Sequence, residues 1–176
     1  MRIRKATTED IDAIVKIYDD CLTLEEEGRI VVGWIRGIYP TQEIAEAAVE
    51  RGDMFVQEDD SGRITGSAVI NQLQVDCYSE GRWSYPASDD EVMVIHTLVI
   101  DGSRGRKGLG SSFIDFYENY AKERGCRSLR LDTNAINKAA RSLYRKHGYT
   151  EIGTVPTVFN GIPDVDLVLL EKVITQ

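Results

Sequence analysis

Cysteine and histidine are scarce in this chain, with three and two among 176 residues. Cys21, Cys77 and Cys126 lie far apart, form no CxxC pair and are odd in number, which argues against a disulfide framework and a zinc site. A reducing, cytoplasmic setting is expected. No run of 18 apolar residues is present for a membrane span, and the opening MRIRKATTEDIDAIV has acids where a secretion signal needs an apolar stretch. Neither a membrane nor a signal-directed export route is expected. Basic charge is in deficit as well: 21 Lys and Arg against 29 Asp and Glu leave a net charge of −8, which disfavours nucleic acid as a partner.

What is present describes one soluble globular domain spanning residues 1–176. Hydrophobic residues make up 42% and charged residues 28%. At this length folding buries about 70% of the unfolded surface, so a core forms without metal or disulfide staples. The charge is uneven. Residues 101–148 carry 11 basic and 5 acidic side chains, while the remainder carries 10 basic and 24 acidic. One segment therefore suits a polyanion and the rest a cation, although solvated helix faces would give the same bias.

Residues 1–6 alternate as a short strand, and Thr7 with Asp10 resembles a capping box for a helix whose apolar positions are Ile11, Ile14, Val15, Tyr18 and Leu22. Residues 24–40 suit either an irregular helix or a loop. Thr41 caps a second helix over 42–50, ended by Gly52; residues 54–57 and 63–72 then read as a hairpin about Asp-Asp-Ser-Gly. The polar stretch 74–90, with Trp83 and Tyr85, is too long for a tight turn and is a candidate functional loop or an insertion. Residues 92–100 are nearly all apolar and β-branched, as in a strand buried on both faces.

After that strand, DGSRGRKGLG opens a helix whose apolar positions Leu109, Phe113, Phe116, Tyr117 and Tyr120 share one face. Gly125 stops it, 128–132 is a strand, and 136–147 is a second amphipathic helix. Residues 149–155 and 165–173 are strands joined across Asn160-Gly161. Glycines at 105, 108 and 110 between a buried strand and a helix N-terminus predict an anion cradle, strengthened by Arg104, Arg106 and Lys107; a plain tight turn has the same spacing. The segment is no P-loop, because no Gly-Lys-Ser/Thr follows, and no dinucleotide fingerprint, because Phe113 replaces the last glycine.

The run NKAARSLYRKHGY adds a more specific pattern. Asn137, Ala140, Leu143, Tyr144, Lys146, Gly148 and Tyr149 stand at the spacings of the last conserved helix of the GCN5-related N-acetyltransferase (GNAT) family. HTLVID, residues 96–101, resembles that family's fourth strand, and KGLG, residues 107–110, its acetyl-CoA loop. A departure is Gly105, where the family usually has Gln or Arg. The resemblance implies an α/β (α+β) fold: a mixed, mostly antiparallel seven-stranded sheet flanked by about four helices, with CoA entering between splayed parallel strands four and five. It further implies that backbone N–H groups of Arg106, Lys107, Gly108, Leu109 and Gly110, with Arg104 and Ser111 beside them, hold the pyrophosphate. Leu98 and Val99 would pair with the pantetheine arm, Asn137 and Ala140 would border the cofactor, and Tyr144 would lie near the sulfur. A homodimer is the family habit.

Acyl transfer from a thioester needs a base for the amine and an acid for the departing thiolate. Tyr144 suits the acid, but its place in the apolar stripe favours core packing on the sequence alone; the resemblance reverses this in favour of the acid. His96, on the central strand, is one candidate base and Glu91 the other, with a satisfied core histidine and a solvated strand end as the structural alternatives. For a cationic amine acceptor, Glu25, Glu26 and Glu27 with Trp34, Trp83 and Tyr85 supply acids and aromatic faces. The expected activity is direct transfer of acetyl from acetyl-CoA, without a metal, to a primary amine of a small molecule or peptide. A non-catalytic acyl-CoA-binding sensor or interaction module, and an acyltransferase acting on protein N-termini or lysines, share the same motifs.

Overall fold

The computed structural model describes residues 1–102 and 108–174. Seven strands form one sheet in the order β1-β2-β3-β4-β5-β7-β6. In chain order these are β1 (Arg2–Lys5), β2 (Met54–Glu58), β3 (Ile64–Asn71), β4 (Val92–Ile100), β5 (Ser128–Asn134), β6 (Thr150–Phe159) and β7 (Ile162–Val173). The helices are α1 (Ile11–Glu26), α2 (Gln42–Arg51), α3 (Leu109–Glu123) and α4 (Lys138–Lys146). All neighbouring strands pair antiparallel except β4 and β5. The mixed, mostly antiparallel sheet expected above is therefore the one observed. Residues 24–40 resolve as the last turn of α1 followed by an irregular segment closed by a bridge between Ile35 and Tyr39.

The alternation of side chains along the strands sorts the core into two faces. Met93, Ile95, Leu129 and Leu131 bury against Phe113, Ile114 and Tyr117 of α3 and Tyr144 of α4. Met54, Val56 and Val69 point the other way, onto Ile14, Ile17 and Tyr18 of α1 and Ala45 and Ala48 of α2. On that second face Val92 and Val94 meet Tyr39, Tyr78, Leu167 and Leu169. Helices thus cover both sides, which explains why β4 reads as a continuous apolar run.

Two local features of β4 shape the site. First, its parallel pairing with β5 covers only Val92–Val94 against Ser128–Arg130, after which the strands part although both continue. At the fork the buried Tyr117 hydroxyl donates to the Met93 carbonyl at 2.6 Å, with the Arg130 carbonyl 3.2 Å away. Second, the register against β3 shifts, because Ser67 faces Val99 whereas Val69 faces His96. Thr97 and Leu98 together therefore stand opposite Ala68, and Thr97 takes the left-handed backbone conformation (φ 51°) that a bulge can demand.

Replacing Tyr117 by Phe leaves a buried carbonyl at the fork without its donor while preserving the ring. This should destabilise the fold by about 1–3 kcal/mol. The change is read as a lower urea midpoint at unchanged slope; an unchanged midpoint would contradict the role given to the hydroxyl.

Candidate active site

The parted strands wall a cavity of about 860 Å³. Residues 95–100 of β4 form its floor, Asp132, Thr133 and Asn134 of β5 one side, and Asn137, Ala140, Leu143 and Tyr144 of α4 the roof. The irregular segment contributes Trp34 and Tyr39, whose rings meet edge to face at 5.7 Å. Beyond Val94 the β4 edge that faces β5 has no strand partner among the described residues, so it offers free peptide groups to whatever enters.

Helix α4 is held in place by its N-terminal cap and by Arg141 at mid-helix. The Asn137 side chain caps it by accepting from the Ala140 backbone N–H at 3.0 Å. Arg141 forms two 2.8 Å bonds to Glu151 of β6 and a third, 3.0 Å, to the Ala135 carbonyl. Tyr144, one turn further on, stacks edge to face on Tyr149 at 6.1 Å. The ring is buried, yet its hydroxyl borders the cavity and has no hydrogen-bond partner among the described residues. Burial, and then the negative charge of Asp132, hold this phenol above its ordinary pKa. At neutral pH it keeps its proton and is available as a donor.

His96 also borders the cavity. Its Nε2 lies 3.2 Å from Asn71 Oδ1 and 3.1 Å from the Leu73 carbonyl. The Asn71 amide is oriented by donating Nδ2–H to Asp53 at 2.8 Å and accepting from Leu73 N–H at 2.9 Å. Both partners of Nε2 are acceptors, so the network assigns the proton to Nε2 and the lone pair to Nδ1. Burial pushes its pKa down to about 4. The imidazole is therefore neutral at physiological pH and a weak proton acceptor.

Asp132, not among the sequence candidates above, lies on the cavity wall. Its Oδ2 accepts from the Tyr78 hydroxyl at 2.7 Å, and burial raises its pKa to about 6 against the opposing effect of that bond. The signal available in the sequence was period 2. Ser128, Arg130 and Asp132 share one face of β5 while Leu129 and Leu131 share the other, and an acid in the interior of a buried strand is rare.

The remaining sequence candidates are distributed as follows. Leu98 and Val99 line the cavity, and so do Asn137, Ala140 and Trp34. Gly108 has a left-handed backbone (φ 73°) at the start of α3, with Leu109 buried behind it; Gly110 approaches α4 so closely that a Cβ there would sit 3.2 Å from Leu143 Cδ2. Ser111 is half-buried in the first turn of α3. Arg104, Arg106 and Lys107 lie outside the described residues.

Glu91, Glu26, Trp83 and Tyr85 are not part of the cavity wall. Glu91 sits at the opposite end of β4 from the bulge, closing a capping box with Ser88, whose bonds hold its carboxyl below the usual range. Glu26 pairs with Arg36 on the outer face of α1 at 2.7 Å. Glu25 accepts from the backbone of Val32 and Gly33, and Glu27 faces Arg29. The Trp83 ring lies 4.1 Å from the Arg130 guanidinium and donates its indole N–H to the Tyr78 carbonyl at 2.7 Å, while Tyr85 donates to Glu91 at 3.1 Å. Loop 74–90 is thus a buttress packed on β5, and its Tyr78 is the part that reaches Asp132.

The profile of the acetyltransferase (GNAT) family matches residues 11–149, most of the chain. The chain belongs to this family. It is an acetyl-CoA-dependent N-acetyltransferase, with acetyl-CoA as co-substrate. Over 168 residues, 94% of this chain and 91% of the other, it is 26% identical to a Bacillus subtilis protein provisionally named a phosphinothricin acetyltransferase. A streptothricin acetyltransferase from Escherichia coli is 30% identical over 99 residues, 54% of this chain and 53% of the other. The fold matches a GNAT-family acetyltransferase structure from Streptococcus agalactiae with a TM-score of 0.81 at 20% identity, over 99% of this chain and 96% of that one. A Salmonella typhimurium protein solved with acetyl-CoA matches with a TM-score of 0.72 at 19% identity, over 100% and 95%.

The described part of the acetyltransferase cavity fits the co-substrate. Unpaired β4 peptide groups suit an amide-bearing arm, and the Leu98, Val99 and Leu143 walls suit its methylenes. Across a pH titration followed by nitrogen NMR, His96 should stay neutral with the proton on Nε2 until about pH 4. Because an unfolded imidazole protonates near 6.5, this residue's contribution to stability should fade as pH falls from there toward 4. A midpoint near 6.5 in the folded protein would contradict the burial argument.

Proposed function

We propose that the enzyme transfers acetyl directly to the primary amine of a small molecule or peptide, with Tyr144 as the general acid. The observation that carries this reading is the Tyr144 hydroxyl, protonated, without a partner among the described residues, and bordering the cavity where the two strands part. Bound acetyl-CoA supplies a thioester carbonyl to be attacked and a thiolate that needs a proton. Tyr144 gives that proton. The ordered wall around it, with α4 anchored by Arg141 to Glu151, keeps the donor in position without reorganisation during the reaction. Cys126 is buried at the end of a helix and away from the cavity, which supports transfer without a covalent enzyme intermediate.

The charges of the wall narrow the acceptor. Asp132 is its one carboxylate among the described residues, and its two arginines there, Arg29 and Arg51, are each ion-paired, with Glu27 and Asp53. A single ammonium group is answered by Asp132. A polyamine's further charges would find no second carboxylate among the described residues of the wall. The reading is therefore a cationic amino group on a molecule with an acidic or neutral remainder, as in an amino acid; the names of the Bacillus and Escherichia relatives keep small-molecule amines in view.

Two outcomes are expected when the protein is incubated with acetyl-CoA and an amine panel under mass spectrometry. Amino acids and short peptides should be acetylated and polyamines should not. Tyr144→Phe should lower kcat about 10²-fold, in the range for loss of a general acid, with acetyl-CoA affinity held within a few fold. An unchanged kcat would remove the role given to Tyr144.

A further inference from the structure

We infer that Asp132 is the base that takes the acceptor's proton, and that Tyr78, delivered by loop 74–90, is a positioning residue holding the Asp132 carboxylate toward the cavity. The inference rests on the proposed transfer to an amine and adds the residue that would prepare the nucleophile.

The geometry begins with β5. Where this strand leaves β4, Asp132 becomes accessible from the cavity, whereas the polar residues before it, Ser128 and Arg130, are sealed under loop 74–90. Tyr78 is 2% exposed and clamped by its contacts with Trp83, whose ring lies 5.1 Å away. Its hydroxyl occupies Oδ2 of Asp132 at 2.7 Å. The other oxygen, Oδ1, has no hydrogen-bond partner among the described residues and is not among the fully buried polar atoms that lack one, so it is open to the cavity. One oxygen is thus fixed and one is free, in the same cavity that Tyr144 lines.

The groups whose charge reaches Asp132 come from several elements: Tyr39 before α2, Cys77 and Tyr78 of the loop, and Tyr144 of α4. None of these is a cation, and among the described residues no ion pair holds the carboxylate ionised. His96 on the neighbouring strand has its Nε2 proton committed to Asn71 and Leu73 and little basicity left at Nδ1. Asp132 and Tyr144 are pushed apart in the directions that an acid and base pair requires, the first titrating near 6 and the second kept protonated.

Protons and electrons balance in this arrangement. The acceptor's ammonium gives one proton to Asp132 Oδ1 and its freed lone pair forms the C–N bond. As the C–S bond breaks, its electron pair stays on sulfur, which takes the Tyr144 proton. The second nitrogen proton returns Tyr144 to its neutral form, and Asp132 releases the first to solvent. The products are an amide, a thiol and one proton.

Three measurements on the full-length protein test this. Asp132→Asn keeps an oxygen for the Tyr78 hydroxyl and should reduce kcat/KM about 10²-fold or more, with acetyl-CoA binding unchanged by calorimetry. A carboxyl whose folded pKa is raised costs stability as pH rises from about 4 to about 6, after which the cost is constant. Asp132→Asn should therefore raise Tm at pH 7.5 and lose that gain near pH 4; an aspartate whose carboxylate is stabilised by its surroundings would show the reverse, and that result would contradict the open, unpaired Oδ1. Tyr78→Phe removes a bond that favours the carboxylate, so the acidic limb of kcat/KM and the carbon NMR titration of Asp132 should both move to higher pH. Near-normal turnover in Asp132→Asn, or an acidic limb that stays fixed while the NMR titration moves, would overturn the inference and leave acetyl transfer standing. If the unmodified protein acetylates no amine in the panel, the proposed function itself fails, whatever the NMR titration shows.

Discussion

The parting of β4 from β5 is the constraint on which the site depends. Parallel strands stay joined only as far as their ladder continues, and here it ends after three residue pairs, where the Tyr117 hydroxyl binds carbonyls on both strands. Beyond that point one edge of β4 faces a cavity instead of a strand. Because β3 and β7 pair with the outer edges of the two diverging strands, the opening does not leave either strand unsupported. The bulge at Thr97 and Leu98 then turns the end of β4 relative to β3, in the stretch that lines the cavity.

The surrounding layers keep this opening rigid. Helix α3 packs across β4 and β5 on one face, while loop 74–90 covers β5 on the other through the Arg130–Trp83 stack and the bonds from Ser84 to Glu171. Buried Arg130, Ser128 and Glu171 form part of this underside, with Arg130 bonded to Ser128 at 3.1 Å and Ser128 to Glu171 at 2.9 Å. A polar network of this kind is stabilising only when its members are satisfied. Here it serves as the base on which Tyr78 stands. The aromatic residues of the loop are thus supports for the site, and the residue that touches the cavity carboxylate is the one they hold.

Much of the fold was legible from local patterns. Alternation marked the strands, the spacing of Leu109, Phe113, Phe116, Tyr117 and Tyr120 marked α3, and Asn160-Gly161 marked the final turn, where both residues take left-handed conformations. The strand and helix limits differ from the expected ones mainly at the last hairpin, whose strands run to Phe159 and from Ile162 because pairing extends through residues that lack clean alternation. The irregular segment 27–41 was not legible, since its shape comes from long-range contacts such as Glu25 with the Val32 and Gly33 backbone.

The site was legible to a lesser degree, for a physical reason. The cavity residues Tyr144, Leu98, Val99 and Asn137 belong to local motifs, each on a single element, and periodicity plus family resemblance reach those. By itself the sequence determined the order of elements, the two faces of each strand and the motif that bears Tyr144, because these depend on residues near one another in the chain. Only the tertiary structure decided that Asp132 faces the cavity, that Glu26, Glu91, Trp83 and Tyr85 lie away from it, and that His96 is a donor with a depressed pKa. Each of those outcomes depends on desolvation and on partners distant in sequence, 54 residues for Tyr78 with Asp132 and 25 for His96 with Asn71, which only folding brings into contact.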